Sequence, residues 1–238
     1  MRHKPIKSKL FSQNRKRIAE LMAPKALAVL NANDVLPTNA DGTLPMEPNA
    51  DLFFLSGIEQ EESVLLLFPD AAEEKHREIL FVRKPNEHLQ IWEGYKHSKE
   101  DARKISGLKN VQWLSEFPGM FRVLMCEAET AYLNTNEHKR ATVKVETRDD
   151  RFIRDCQRDF PLHDFRRLAL LLHELRVVKT NPEIELLKEA VDITAKGFRR
   201  LLRFVKPGVI EFEVEAELAR RFGVSGLDEK AARRPLED

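Results

Sequence analysis

The chain has 238 residues, 42% of them hydrophobic and 33% charged, with a formal net charge of +1. This length suits one or two domains with a sizeable core, and the near-neutral balance excludes a strong overall field for polyanions. No run of about eighteen apolar residues occurs, which excludes a transmembrane helix, and the basic opening MRHKPIKSKLFSQNRKR lacks the apolar stretch of a secretory signal.

Ser8 to Met22 is predicted as the first helix. Leu10, Asn14, Ile18 and Leu21 or Met22 share one face, and Pro24 ends it. Its basic residues read as a solvated face rather than a nucleic-acid contact, because no stacking aromatics are interleaved with them. ALAVLNAND reads as a buried strand, and Leu36 to Ala50, with PTNADGTLPMEP, as a loop. Phe53, Phe54 and Leu55 read as core. SVLLLFPD and EILFVRKP are short apolar runs, each closed by proline and separated by the polar AAEEKHR. They are expected to form an antiparallel strand pair. A short helix follows over Ser98 to Ile105, with Ser98 as N-cap and Asp101 three residues on. NVQWLSE and ETAYLN read as strands with a helix around Phe117 to Met125 between them, an alternation that points to α/β layers. Asp149 to Phe160 is a helix closed by Pro161. His163 to Val178 is expected to be another, with Phe165, Leu168, Leu172 and Leu175 on one side. A domain boundary is expected between Pro161 and Thr180.

From Lys179 the sequence KTNPEIELLKEAVDITAKGF opens a long helix. Thr180 and Glu183 have capping-box spacing, and Pro182 sits in the first turn, where its missing N–H costs nothing. Ile184, Leu187, Val191, Thr194, Phe198, Leu201 and Val205 recur at steps of three and four, an apolar stripe broken only by Thr194. Acidic residues fill the first half and basic residues the second, which suits the helix dipole. Pro207-Gly208 stops the helix, and EFEVEAELARRF begins a second. A stripe this long asks for a sheet to lie on, and the polar residues after Phe222 cannot supply one.

Candidate chemistry is sparse. No HExxH or GxSxG pattern occurs. His173-Glu174 reads as a surface pair, and His163 and Asp164 as cap or surface groups. The adjacent carboxylates Glu61-Glu62 and Asp149-Asp150 point apart and suit turns and helix starts better than acid–base catalysis. Cys126 and Cys156 fit neither a zinc nor a CxxC pattern and read as reduced, packed thiols.

Two stretches carry a resemblance. ELRVVKTNPEIELLKEAVDITAKGFRRLLRFVKPGVIEFEVEAELA resembles the entry to the catalytic domain of aminopeptidase P, on Arg176, Lys179, Glu183-Ile184, Ala190 and Pro207-Gly208. Upstream, PNADLFFLSGIEQEESVLLL resembles that family's N-terminal domain, with Phe54 where tyrosine is common. HLQIWEGYK is similar to a further segment, with Gln90 in place of an acidic residue. The likeness covers roughly Phe11 to Leu218. It implies a metallopeptidase whose C-terminal pita-bread domain holds two divalent metals, usually manganese, through two aspartates, one histidine and two glutamates. The metals activate a water that attacks the peptide bond preceding proline. The N-terminal domain shapes access and makes oligomer contacts; Trp92, on a surface loop of it, reads either as an indole packed over strand residues or as a residue close to a neighbouring subunit's substrate.

The expected fold is therefore α/β: an N-terminal creatinase/aminopeptidase P-type domain with a mixed sheet flanked by helices, over residues 1–162. A linker helix and the first two helices of a truncated pita-bread domain occupy 163–222, and 223–238 is an unmatched polar tail. No catalytic or metal-ligand residue of the family falls in this chain. No cofactor is expected in it, against two Mn2+ in the full-length family, and it is expected to be inactive alone. Proline-containing peptides are the implied partners of that family, with a cytoplasmic homo-oligomer and no nucleic-acid or membrane partner. The alternatives are a non-enzymatic oligomerisation or regulatory module and, more weakly, nucleic-acid binding through Arg2 to Arg17.

Overall fold

The computed structural model describes residues 5–86, 94–142 and 144–226. They divide into two compact units, Ile6–Val178 and the residues from Lys179 on. In the first unit the strands are β1 Ala26–Asn31, β2 Val64–Leu67, β3 Glu78–Val82, β4 Asn110–Trp113, β5 Thr130–Leu133 and β6 Asp164–Arg167. The helices are α1 Ser8–Leu21, α2 Ala50–Ser56, α3 Lys99–Ser106, α4 Phe117–Met125, α5 Arg148–Asp159 and α6 Leu168–Val177. The strands form one six-stranded sheet in the order β4-β3-β2-β1-β5-β6. β2 is antiparallel to both β1 and β3, whereas β1–β5, β5–β6 and β3–β4 are parallel. The fold is a mixed α/β sheet flanked by helices, and the apolar runs around Val64 and Glu78 do pair antiparallel.

Strand alternation divides the core in two. Ala26, Ala28 and Leu30 face one layer with Ile18 of α1, Leu52 and Leu55 of α2, Ala102 of α3, and Leu168, Leu172 and Leu175 of α6. Leu27 and Val29 face the other, with Phe121, Leu124 and Met125 of α4 and Cys156 of α5. Every residue of β1 is buried, as a central strand covered on both faces requires.

The first layer is joined by α1 lying over the ends of α2 and α3. Each of those helices ends in a left-handed glycine, Gly57 at φ 70° and Gly107 at φ 72°. A Cβ at Gly57 would stand 2.3 Å from the Phe11 ring, and one at Gly107 would stand 2.8 Å from Ser12 Oγ. Arg15 completes the joint and is 1% exposed. Its Nη1 donates to the Leu55 carbonyl at 2.8 Å and to the Ser106 carbonyl at 3.0 Å. Its Nε donates to Glu78 at 3.1 Å and Nη2 to Ser12 Oγ at 3.2 Å. Burial lowers its pKa, partly offset by Glu78. The basic residues of α1 are thus not all solvated: Arg15 is a core strut, and Arg17 donates to the Leu175 carbonyl at 3.1 Å.

Two expectations need correcting. The helix expected over His163 to Val178 begins only at Leu168, and Asp164–Arg167 is strand β6. Phe165 therefore packs with the α4/α5 layer, while Leu168, Leu172 and Leu175 pack in the opposite one. Both β6 and α6 belong to the first unit. The Leu36–Ala50 loop leads into helix α2, a segment the sequence left unassigned, capped by Asn49 Oδ1, which accepts from the Asp51 and Leu52 N–H groups at 3.0 Å each. Finally, Cys156 is buried but Cys126 is exposed.

The second unit contains α7 Asn181–Phe204 and α8 Glu211–Gly226. The cap of α7 is as expected: the Thr180 N–H and hydroxyl donate to Glu183 Oε2 at 2.7 and 2.6 Å. Gly208, at φ 95°, makes the turn, and Arg200 pairs with Glu217 to tie the two helices. Within the stripe, Leu187, Val191 and Phe198 are exposed.

Candidate functional site

β1 and β5 run parallel as neighbours, but the chain leaves them toward opposite faces. From β1 it leads to α2 in one layer, and from β5 to α5 in the other. A crevice is expected where such neighbours diverge, and one is present: an open cleft of about 720 Å³ lined by the 44–51, 134–138 and 145–149 segments and by α6.

Both strands end in Leu-Asn, Leu30-Asn31 and Leu133-Asn134. The register pairs Val29 with Leu133, so the two asparagines are one step out of phase and point to opposite faces. Each meets an aspartate in the first turn of a helix. Asn31 Nδ2–H donates to Asp149 Oδ1 of α5 at 2.8 Å, and Asn134 Nδ2–H donates to Asp51 Oδ2 of α2 at 3.0 Å. The other Asp51 oxygen pairs with Arg176 of α6, whose guanidinium lies 5.5 Å from the Phe54 ring centre. The two carboxylates are treated differently. Burial raises the Asp149 pKa to about 6, against the lowering effects of the Asn31 hydrogen bond and Arg148. Arg148 is itself lowered by burial, and its backbone N–H donates to Asp34 Oδ2 at 2.7 Å. Asp34 also accepts from Arg151 at 2.5 Å.

The residues singled out in the sequence fall mostly elsewhere. Trp92 lies outside the described residues. His163 Nε2–H donates to the Met125 carbonyl at 2.7 Å and so caps α4, and Asp164 pairs with Arg166. His173 and Glu174 are exposed, although His173 borders the cleft. Glu61 pairs with Lys96 at 2.5 Å and Arg83 at 3.5 Å, and Glu62 pairs with Arg83 at 3.4 Å. Asp150 accepts from the Thr147 N–H and hydroxyl at 2.9 and 2.7 Å, the helix-start role expected of it. Its neighbour Asp149 is a half-buried cleft residue, a role the sequence did not show. Among the described residues no three His, Cys, Asp or Glu side chains cluster closely enough to hold a metal. The donor set does not fit a dinuclear centre.

The ion pair between Asp51 and Arg176 has a further meaning. It joins PNADLFFLSG to ELRVVK, the two stretches that carry the resemblance, across 125 positions of sequence. The profile of the family "Aminopeptidase P, N-terminal domain" matches residues 11–132, more than half of the chain. This chain belongs to the aminopeptidase P N-terminal domain family. An Xaa-Pro aminopeptidase of Escherichia coli is 25% identical over 220 residues, 91% of this chain and 49% of that protein. A Bacillus anthracis structure assigned as an aminopeptidase P superposes with a TM-score of 0.81 at 28% identity, covering 94% of this chain and 53% of the other. Zinc-substituted E. coli aminopeptidase P in complex with product gives a TM-score of 0.75 at 24% identity, over 94% of this chain and 51% of that one. The chain spans about half the length of the relatives it matches. No described helix is long and apolar enough to cross a membrane.

Proposed function

We propose that this chain serves as the N-terminal half of a metallopeptidase that releases the first residue from peptides with proline second, and that it does not catalyse this reaction alone. The observation that carries the reading is the Asp51–Arg176 junction within a matched fold, together with the half-length coverage of peptidase relatives. The chemistry then belongs to a second half holding two manganese ions, for which these residues provide no ligand set. In that assembly α7 and α8 begin the catalytic domain, whose sheet covers Leu187, Val191 and Phe198. We also propose a cytoplasmic homo-oligomer in which Trp92 borders a neighbouring subunit's site. The two free cysteines support a reducing compartment.

A second reading is an assembly module without chemistry. The exposed apolar residues of α7 favour it, because a face of that kind marks an interaction surface. One experiment separates the readings. The purified chain is assayed with manganese on an Xaa-Pro peptide, with and without the C-terminal half of a related peptidase. The proposal expects no turnover by the chain alone. Chelator-sensitive turnover by the chain alone overturns it, and stable self-association unaltered by the added half favours the assembly module.

A further inference from the structure

The open edge of strand β6 carries a charge pattern complementary to itself. β6 is an outermost strand of the sheet, and among the described residues no strand pairs with its outer side. The parallel register sets Asp164 against Thr130 of β5, and the Asp164 N–H donates to the Glu129 carbonyl at 3.2 Å. In a parallel ladder the backbone groups that face the neighbouring strand belong to alternate residues. Asp164 and Arg166 therefore turn their backbone groups to β5, and Phe165 and Arg167 turn theirs outward. No described residue bonds the Phe165 N–H, the Phe165 carbonyl or the Arg167 N–H. Asp164, Arg166 and Arg167 are exposed, and Phe165 is half-buried. The opposite edge, β4, differs: it carries no charged residue, and its Trp113 N–H is taken by Glu116 at 3.2 Å.

Charges of one sign blunt an edge by repelling a second copy. On β6 the two signs alternate along one face. Asp164 and Arg166 lie two residues apart and share that face. Arg166 Nε–H donates to Asp164 Oδ2 at 2.7 Å, with the two side chains 47% and 55% exposed. Two copies can meet antiparallel about a two-fold axis in either of two registers. With Arg166 on the axis, it opposes its own symmetry mate, which destabilises the pair. That register also needs the Arg167 carbonyl, which the first turn of α6 uses, because Arg167 is its N-cap. With Phe165 on the axis, the two Phe165 residues exchange N–H···O=C bonds. Each Asp164 then stands directly opposite an Arg166, in the closely spaced pairing where side chains approach most nearly. The intrachain ion pairs merge into a ring of alternating charges.

We propose that β6 is a homodimer interface, along which a second copy of this chain pairs antiparallel and joins the two six-stranded sheets edge to edge. The inference rests on the homo-oligomer reading above, to which it adds the surface, and is independent of any peptidase activity. A strand of four residues buries little area, so the dimer belongs to the weak, small-interface class.

The test is a charge exchange in the full chain, read by sedimentation equilibrium at low salt from about 10 μM to 1 mM protein. The unaltered chain should dimerise, and less so as salt is raised. Asp164→Arg and Arg166→Asp each oppose like charges at both contacts and should each weaken self-association at least about tenfold. Mixed one to one, the two variants restore the pairing, because one copy supplies both arginines and the other both aspartates. The mixture should dimerise about as well as the unaltered chain. Hydrogen exchange of the Phe165 amide should slow as the dimer forms. Should either variant not fold, the Phe165 amide and the salt dependence of the unaltered chain still decide the matter. A chain that stays monomeric at about 1 mM overturns this proposal and the homo-oligomer reading together. Association that both single variants leave unaltered, a mixture that does not recover it, or a Phe165 amide unprotected in the dimer overturns the edge pairing alone and leaves the homo-oligomer reading standing.

Discussion

Arg15→Met asks how much of the first unit depends on one buried guanidinium. Methionine keeps most of the stem, so the apolar packing along α1 is largely retained. The polar partners are not retained. The Leu55 and Ser106 carbonyls at the ends of α2 and α3 are backbone groups that no substitution can remove, and both lose their donor. Each buried carbonyl left unpaired costs about 1–3 kcal/mol, while Glu78, with a side chain 40% exposed, can regain water. The expected loss is about 3–5 kcal/mol, the range for breaking a buried charged network from one side. For a unit of this size that lowers Tm by roughly 6–20 °C, at about 2–4 °C per kcal/mol. Arg15→Lys keeps the charge but offers a single ammonium in place of a planar fork, and should fall about midway. Urea unfolding followed by circular dichroism measures both. A loss below about 1 kcal/mol for Arg15→Met, the size of an ordinary surface change, would refute the view that Arg15 holds the ends of α2 and α3 to α1.

Asp149→Asn should stabilise the protein at neutral pH. Because burial raises the folded-state pKa to about 6, the folded form holds this proton more tightly than the unfolded chain does. Ionisation therefore opposes folding increasingly as pH rises from about 4 to 6 and by a constant amount above that, on the order of 3 kcal/mol. The gain from Asn should appear across that window and vanish below about pH 4; a gain independent of pH would contradict the assignment, as read from urea midpoints of both proteins across pH. Gly57→Ala should cost more than about 2 kcal/mol, since alanine is strained at φ 70° and its methyl meets the Phe11 ring. Gly94→Ala, with a similar φ but open space around it, should cost only the backbone strain, about 1–2 kcal/mol. Comparing their melting temperatures separates the two causes.

Much of this fold was legible where local chemistry decides. Ser98–Asp101 and Thr180–Glu183 announce their helices by reciprocal caps, and the proline-closed apolar runs announce β2 and β3. Strand β6 was not legible. Phe165, Leu168 and Leu172 have helical spacing, and an exposed four-residue edge strand, Asp-Phe-Arg-Arg, has no apolar alternation to compete with it. Only its parallel pairing with β5 fixes it, and that is a tertiary fact. Helix α2 is seven residues long, too short for a periodic signal; Asn49 at its cap was the available sign. The cleft shows the same limit. The paired Leu-Asn strand ends are visible in the sequence, but their out-of-phase register, and hence their choice of Asp51 and Asp149, is not. Arg15 looks like any other residue of a basic run until the ends of α2 and α3 are brought to it.

Manganese binding by the purified chain, measured by calorimetry and by the loss of the free Mn2+ electron paramagnetic resonance signal, tells whether these residues hold the metals. With the ligand set assigned to a second half, no saturable site tighter than about 1 mM is expected. Two equivalents bound at micromolar affinity would place the dinuclear centre in this chain and contradict that assignment.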